Sequence, residues 1–317
     1  RLEIIIVNSG SQQNEDAIIK EYLNKHMNIK YIKTEERETI YKAWNRGIRI
    51  ATGEYITNAN TDDRLKNDAF QILANELNRN SDIALVHADM YESNIPNLTF
   101  DEIQNGKIKI IPLFDYLVQL DRCLVYSQPM WRKSLHTTDN IWFKDELKIC
   151  GDHDFEIKIT QKYKIKHLPI VLGVFYVDKK KSNISLNNLK VVEQEKTGMT
   201  KEYIIDYVNS LDEVALMILK SKFEFSTKIP VIFLRGKNIV QIKINPRIHR
   251  FTNEFVYYIT ALIHDRLGEK GKAIRCCKKL LKNKNSKRVA ELMQSLISTE
   301  KINCSKIEYL ADNSKNN

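Results

Sequence analysis

Two acidic groups hold most of the chemical potential of this 317-residue chain. One is Asp62-Asp63, which closes the run Gly53–Asp63 (GEYITNANTDD); the other is the run Cys150-Gly151-Asp152-His153-Asp154. Tyr55 to Asn58 read as a short strand behind a Thr52-Gly53 turn, since β-branched and aromatic residues fit a pleated surface. Asn58, Asn60, Thr61, Asp62 and Asp63 then crowd its end. In open α/β sheets ligands bind outside the carboxyl ends of strands. Adjacent carboxylates there suit a hard divalent cation, Mg²⁺ or Mn²⁺, which takes oxygen ligands and keeps positions for phosphate oxygens. An isolated Asp-Asp pair is more often only an acidic turn. At Asp152 a carboxylate just before a helix has two uses. It caps the helix and favours its dipole, or it accepts a proton within hydrogen-bond reach. The two uses are compatible, because a cap position pins the carboxylate.

The elements that must position these groups follow from pattern. Leu2–Val7 is a continuous apolar, β-branched run, as expected of a strand buried on both faces, and it ends in the turn Asn8-Ser9-Gly10-Ser11. A helix opening at Glu15 or Asp16 carries Ala17, Ile18, Tyr22 and Leu23 at helical spacing. Ile29–Ile32 is the next strand, so the opening is a βαβ unit and the sheet is expected to be mostly parallel. Ile40–Ala51 is a helix with Ala43, Trp44, Gly47, Ile48 and Ala51 on one face. Asp68–Leu77 is another, and Ile83–His87 returns as a strand. Tyr91–Leu113 is irregular. Phe114–Cys123 and Asp152–Lys162 read as helices and Leu168–Tyr176 as a strand. Lys179-Lys180-Lys181-Ser182-Asn183 then breaks structure, which places a domain boundary near Leu189.

The remainder, 190–317, reads as mainly helical: about Thr200–Lys222, a hairpin over Val231–Ile244, then Phe255–Leu267, Ala273–Leu281 and Val289–Ile297. Residues 253–284 resemble one tetratricopeptide hairpin, too few for a solenoid that needs about three repeats. Lys272, Arg275, Lys279 and Lys282 share one helix face. Most such stripes are solvated; contact with an anionic membrane surface is the second reading.

With 50 Lys and Arg against 40 Asp and Glu, the net charge of +10 favours anionic partners such as nucleotides, phosphates or anionic lipid. No apolar run approaches the roughly 18 residues of a membrane span. Five cysteines, without C-x-x-C, read as reduced thiols of a cytoplasmic protein. Neither G-x-G-x-x-G nor G-x-x-x-x-G-K-[ST] occurs, and the aromatics do not interleave with the basic stripe. That argues against a dehydrogenase, a P-loop enzyme and a nucleic-acid binder.

Five pieces in order, EIIIVNSGS, WNRGIRIATGEYITNANTDDRLKNDAF, QPMWRKSL, GDHDFEIKI and LPIVLGVFY, resemble a bacterial glycosyltransferase of family 2. The resemblance covers Leu2 to about Ile184. It implies an α/β GT-A fold over 1–189 and a nucleotide-diphospho-sugar donor. The acceptor hydroxyl would be on a glycan, a lipid-linked intermediate or a protein. It also implies that related chains begin one βα unit earlier, so a further strand and helix are expected before Arg1. Asp63 would be the direct ligand of Mn²⁺ or Mg²⁺, and Asp62 would reach the ribose or a metal-bound water. Asn60 stands where the wider family has an acid.

Asp152 matches the family's base and Asp154 the second acid of that run. Asn8, Ser9 and Gly10 match the nucleotide-facing turn, and Asn45 matches an Asn that the family carries near the diphosphate or ribose. Arg37 is read equally as a diphosphate contact or a surface arginine. Gln128, Trp131, His153 and Asp154 are candidates for the sugar or acceptor pocket; a core Trp and a structural His are the competing readings. The expected activity is inverting, and it is expected to be non-processive because the Q-x-x-R-W motif and membrane helices of processive relatives are absent; its expected place is the cytoplasm or the inner membrane face. The rival reading is a degenerate transferase domain that acts as a scaffold through its basic helical tail.

Overall fold

The computed structural model describes residues 1–103, 106–109, 111, 116–125, 128–178, 188–226, 253–283 and 294. The hairpin read over Val231–Ile244, the break at Lys179–Asn183 and, apart from Gln294, the helix read over Val289–Ile297 lie outside these residues. The described residues cluster as two compact units, Arg1–Thr200 and a second one from Lys201 on.

The first unit opens on the expected strand, but not as one buried on both faces: it lies in a two-stranded sheet, and Leu2 and Ile4 are exposed. Strand β1 (Ile4–Ser9) pairs in parallel with β2 (Ile29–Thr34), from Ile4 opposite Ile29 to Ser9 opposite Thr34. Helix α1 (Glu15–Leu23) makes the crossover that parallel pairing requires. Helix α2 (Ile40–Ile50) then packs on β1, and Gly47 brings its backbone close to Ile5 and Val7. Thr39 starts α2 by accepting the Lys42 backbone N–H at 3.2 Å, a side-chain N-cap.

A second, six-stranded sheet holds β3 (Tyr55–Thr57), β4 (Arg64–Leu65), β5 (Ile83–Ser93), β6 (Lys107–Lys109), β7 (Met130–Arg132) and β8 (Lys164–Tyr176). Its path is β3-β7-β5-β8-β4, with β6 beside β5. Only β5 and β8 run parallel in it; the other pairs are antiparallel. The α/β class therefore stands, with a mixed rather than mostly parallel sheet. The path from β5 to β8 is long enough for the crossover that parallel pairing requires.

Cores form on both faces. Helix α3 (Ala69–Arg79) buries Ala69, Leu73 and Leu77, spaced four apart, against Val86, Ala88 and Leu172. On the other face α2 and α6 (Gly151–Thr160) enclose Tyr41, Leu85, Trp131, Phe143, Phe155 and Ile159. Helices α4 (Tyr116–Asp121) and α5 (Ser134–Thr137) are short connections, and α7 (Leu189–Ser210) begins in the first unit and ends in the second.

The second unit contains α8 (Glu213–Ser226), α9 (Asn253–Arg266) and α10 (Lys270–Asn283). Helices α9 and α10 pair through buried Ile259, Ile263, Ala273 and Cys277, and Gly268 turns between them at φ 72°. The Glu269 carboxylate gathers Lys220, Lys272 and His264. On α10, Lys272, Arg275 and Lys279 are exposed, and Lys279 lies over the Tyr257 ring.

Candidate active site

The turn after β1 is fixed by its own side chains. Asn8 is buried; its Oδ1 accepts the Ser11 N–H at 3.0 Å and its Nδ2 donates to Tyr31 at 3.1 Å. Ser9 Oγ accepts the Glu38 N–H at 2.6 Å, tying the turn to the loop that leads into α2. Gly10 has φ 58°, and a Cβ there would stand 2.7 Å from the Arg37 backbone nitrogen. Both the left-handed backbone and the close approach demand glycine. Arg37 itself is exposed on this rim.

Asp63 closes the polar run after β3. It is buried, its Oδ1 accepts the Tyr176 N–H at 3.0 Å, and its Oδ2 accepts from Asn60 Nδ2 at 2.9 Å. Asn60 is in turn oriented by Asn58 at 3.0 Å. Its neighbour Asp62 is exposed. The acidic pair is thus one anchored carboxylate beside one reaching solvent. Lys109 of β6 adds a cation: its Nζ lies 4.1 Å over the Phe175 ring, one residue from Tyr176. Burial lowers the Lys109 pKa against the pull of Glu92, Cys123 and Asp63.

Asp152 stands in the first turn of α6 and is half-buried. Its Oδ1 accepts the His153 N–H at 2.8 Å and the Tyr41 hydroxyl at 3.3 Å. The cap residue of α6 is Cys150, with no side-chain cap bond, so Asp152 is not the N-cap. Burial raises the Asp152 carboxyl above its ordinary value; the bonds from His153 and Tyr41 oppose that rise, and the nearby Glu195 carboxylate adds to it. Tyr41 also donates to the Ile149 carbonyl, and its ring lies where a Cβ on Gly151 would collide at 2.6 Å. A chain of contacts therefore runs from the Asn8 turn through the start of α2 to Asp152.

Three candidates for the sugar or acceptor pocket sit in the core instead. Trp131 is buried among Phe143, Phe155 and His136, and its indole N–H donates to His136 Nε2 at 2.8 Å. Burial lowers His136 to about 4, which keeps that nitrogen an acceptor. His153 is buried with Nε2 2.5 Å from the Gln119 carbonyl, and burial lowers it to about 4, so it is a neutral donor to backbone. Asp154 is fully enclosed and pairs with Lys144 at 2.9 Å and Lys158 at 2.7 Å. Apolar surroundings claim the first two, and lysines claim the third. Gln128 is buried with φ 62°, a left-handed backbone that is costly for a non-glycine residue. Asn45 is buried, and its Nδ2 donates to the Phe143 carbonyl at 2.8 Å and to Asp145 at 2.6 Å, which fixes α2 to the loop before α6.

Reading the sequence alone misses Tyr41, Lys109, Tyr176 and Glu156. Glu156, one turn after Asp152, is buried; Gln119 Nε2 donates to it at 2.6 Å and the Cys123 thiol lies at 3.3 Å. Burial, then the Asp152 charge, push its carboxyl well above the ordinary range. A carboxyl raised in the folded state takes up a proton on folding. Its penalty grows as pH rises from the ordinary value of about 4.3 toward the raised one. Glu156→Gln keeps an acceptor for Gln119 without that proton. Melting curves are expected to show a variant at least as stable as wild type at pH 8, with a flatter profile between pH 5 and 8. A variant less stable at pH 8, with the wild-type slope, would contradict this.

The architecture matches a structure of S. aureus TarS, residues 1–349, with TM-score 0.52 over 94% of this chain and 82% of that one, at 14% identity. That likeness is one of fold, and the fold is GT-A: a mixed sheet flanked by helices. Residues 1–134 match the model described as glycosyl transferase family 2, so this part of the chain carries a glycosyltransferase domain. Hyaluronan synthase of Pasteurella multocida is 26% identical over 251 residues, 76% of this chain and 25% of that protein. Chondroitin synthase of the same organism is 25% identical over 254 residues, again 76% of this chain and 25% of its own length. The chain thus spans about a quarter of the length of these two relatives. Among the described residues no helix is long and apolar enough to cross a membrane, and Cys123, Cys150, Cys276 and Cys277 are free thiols.

Proposed function

We propose that this protein is an inverting, non-processive glycosyltransferase that moves a sugar from a nucleotide-diphospho-sugar to an acceptor hydroxyl during cell-surface polysaccharide or glycoconjugate synthesis. The observation that carries the reading is that two carboxylates are each held by fixed donors, Asp63 by the Tyr176 N–H and the Asn60 amide and Asp152 by the His153 N–H and the Tyr41 hydroxyl. The names of the two Pasteurella relatives support the polysaccharide setting.

The donor set fits a hard divalent cation. Asp62, Asp63 and Asn60 offer only oxygen, and the bonds from Tyr176 and Asn60 orient the Asp63 carboxylate, which has about four lone-pair sites. Among the described residues no group of three or more His, Cys, Asp or Glu converges. Mg²⁺ or Mn²⁺ would therefore take most of its oxygens from diphosphate and water, as these ions do. When bound, such an ion stabilises the charge of the leaving diphosphate as a Lewis acid. Asp63 would hold it, Asp62 would reach the ribose or a metal-bound water, and the Asn8–Gly10 turn with Arg37 would border the nucleotide. Lys109 adds positive charge beside Asp63. Asp152 takes the acceptor hydroxyl proton as that oxygen bonds to the anomeric carbon. The bond from that carbon to the phosphate oxygen breaks, and one displacement inverts the centre.

The test is a panel of nucleotide sugars incubated with the full chain, Mn²⁺ or Mg²⁺, and glycan, lipid-linked or protein acceptors. Release of nucleoside diphosphate from one donor class, lost on chelation, is the expected result. No release from any donor, with nucleotide still bound, would favour the scaffold reading.

A further inference from the structure

The start of α6 is held by a residue from a helix far along the chain. Glu195, on the part of α7 within the first unit, accepts three consecutive backbone N–H groups: Lys148 at 2.8 Å, Ile149 at 2.9 Å and Cys150 at 3.0 Å. Successive N–H groups converging on an anion form a nest, and charge-assisted bonds of this kind are short and strong. They satisfy the three amides that lead into α6, whose cap position, Cys150, makes no side-chain bond of its own. Two further ties bind the same helix: Cys150 Sγ donates to the Val192 carbonyl at 3.7 Å, and Lys196 stands 3.9 Å from Asp121. On the opposite side Tyr41 bonds the Ile149 carbonyl and Asp152. The turn that presents Asp152 is gripped from two helices.

We propose that Glu195 is a positioning residue for the transfer: it clamps the 148–150 turn so that the Asp152 carboxylate meets the acceptor hydroxyl. The proposal rests on the transferase reading, in which Asp152 is the base. Small displacements of a reacting group cost about 10²-fold in rate, so the clamp should act on turnover rather than on donor affinity.

The experiment compares Glu195→Gln, Glu195→Ala and wild type in the full chain by kcat, donor KM, UDP–Mn²⁺ binding and amide exchange at residues 148–150. Gln keeps the reach and one acceptor oxygen, so kcat should fall about 10-fold in Gln and about 10²-fold in Ala. Donor KM and UDP–Mn²⁺ binding should stay at wild-type values, and the 148–150 amides should exchange faster in both variants. Unchanged kcat with loosened amides overturns the positioning role. A parallel loss of kcat and nucleotide binding overturns it too, since that marks general unfolding. Should Ala fail to fold, the Gln variant decides on the same readouts. A wild-type chain that turns over no donor sinks the transferase reading instead, and amide exchange then judges the clamp by itself: unchanged protection in Glu195→Gln removes it.

Discussion

Asp63→Asn is expected to fold like wild type and to lose about 100-fold or more in Mn²⁺-dependent UDP or GDP affinity, above the 10–100-fold cost of losing a partner behind a metal ligand. The conservative variant is the informative one. Asp63 accepts the Tyr176 N–H and the Asn60 amide in a buried setting. Alanine would strand both donors, at roughly 1–3 kcal/mol for each unsatisfied group. Asparagine keeps an acceptor for Tyr176 and the same shape, yet carries no charge for a cation. Exposed Asp62 gives the internal comparison, since Asp62→Asn should weaken binding less. Calorimetry that finds unchanged UDP–Mn²⁺ binding in Asp63→Asn would remove Asp63 from the metal site.

How far such a site can be read from sequence depends on the range of the interaction. The opening βαβ unit was legible because Leu2–Val7 is continuously apolar and α1 follows at helical spacing. Helix α3 was legible for the same local reason, its buried residues falling four apart. The mixed sheet was not, because β3, β4, β6 and β7 have only two or three residues each, too few for any period. Trp131 and His153 carry no local mark that separates pocket from core. What decides them is an aromatic cluster assembled from β7, α5 and α6, together with a backbone carbonyl on α4. Glu195 lies further still from legibility. A glutamate in a charged helix looks solvated until the fold brings it to the turn before α6. The run Asn58–Asp63 was readable since its bonds are local, Asn58 to Asn60 to Asp63. Its last anchor, Tyr176, comes from the far strand β8 and was not.

Asp152→Asn is expected to melt near wild type, bind nucleotide with metal normally, and lose about 10²–10⁴-fold in turnover, the scale of general-base catalysis. The capping explanation predicts a silent variant, yet Cys150, not Asp152, is the cap position of α6. Asparagine retains an oxygen for the His153 N–H and the Tyr41 hydroxyl, so stability should hardly move. It has no site for the acceptor proton. The pH profile gives a second check. A base works deprotonated, so wild-type turnover should fall as pH drops through the Asp152 carboxyl. Burial places that limb above the ordinary carboxylate value of about 3.9. Asp154→Asn should behave in the opposite sense. Asp154 is enclosed and pairs with Lys144 and Lys158, so its loss should cost stability, up to roughly 3 kcal/mol because both lysines still reach solvent. Turnover per folded molecule should remain. A full loss of turnover at Asp154 with activity kept at Asp152 would move the base two residues along α6. Retained transfer in both variants would take this helix out of the chemistry.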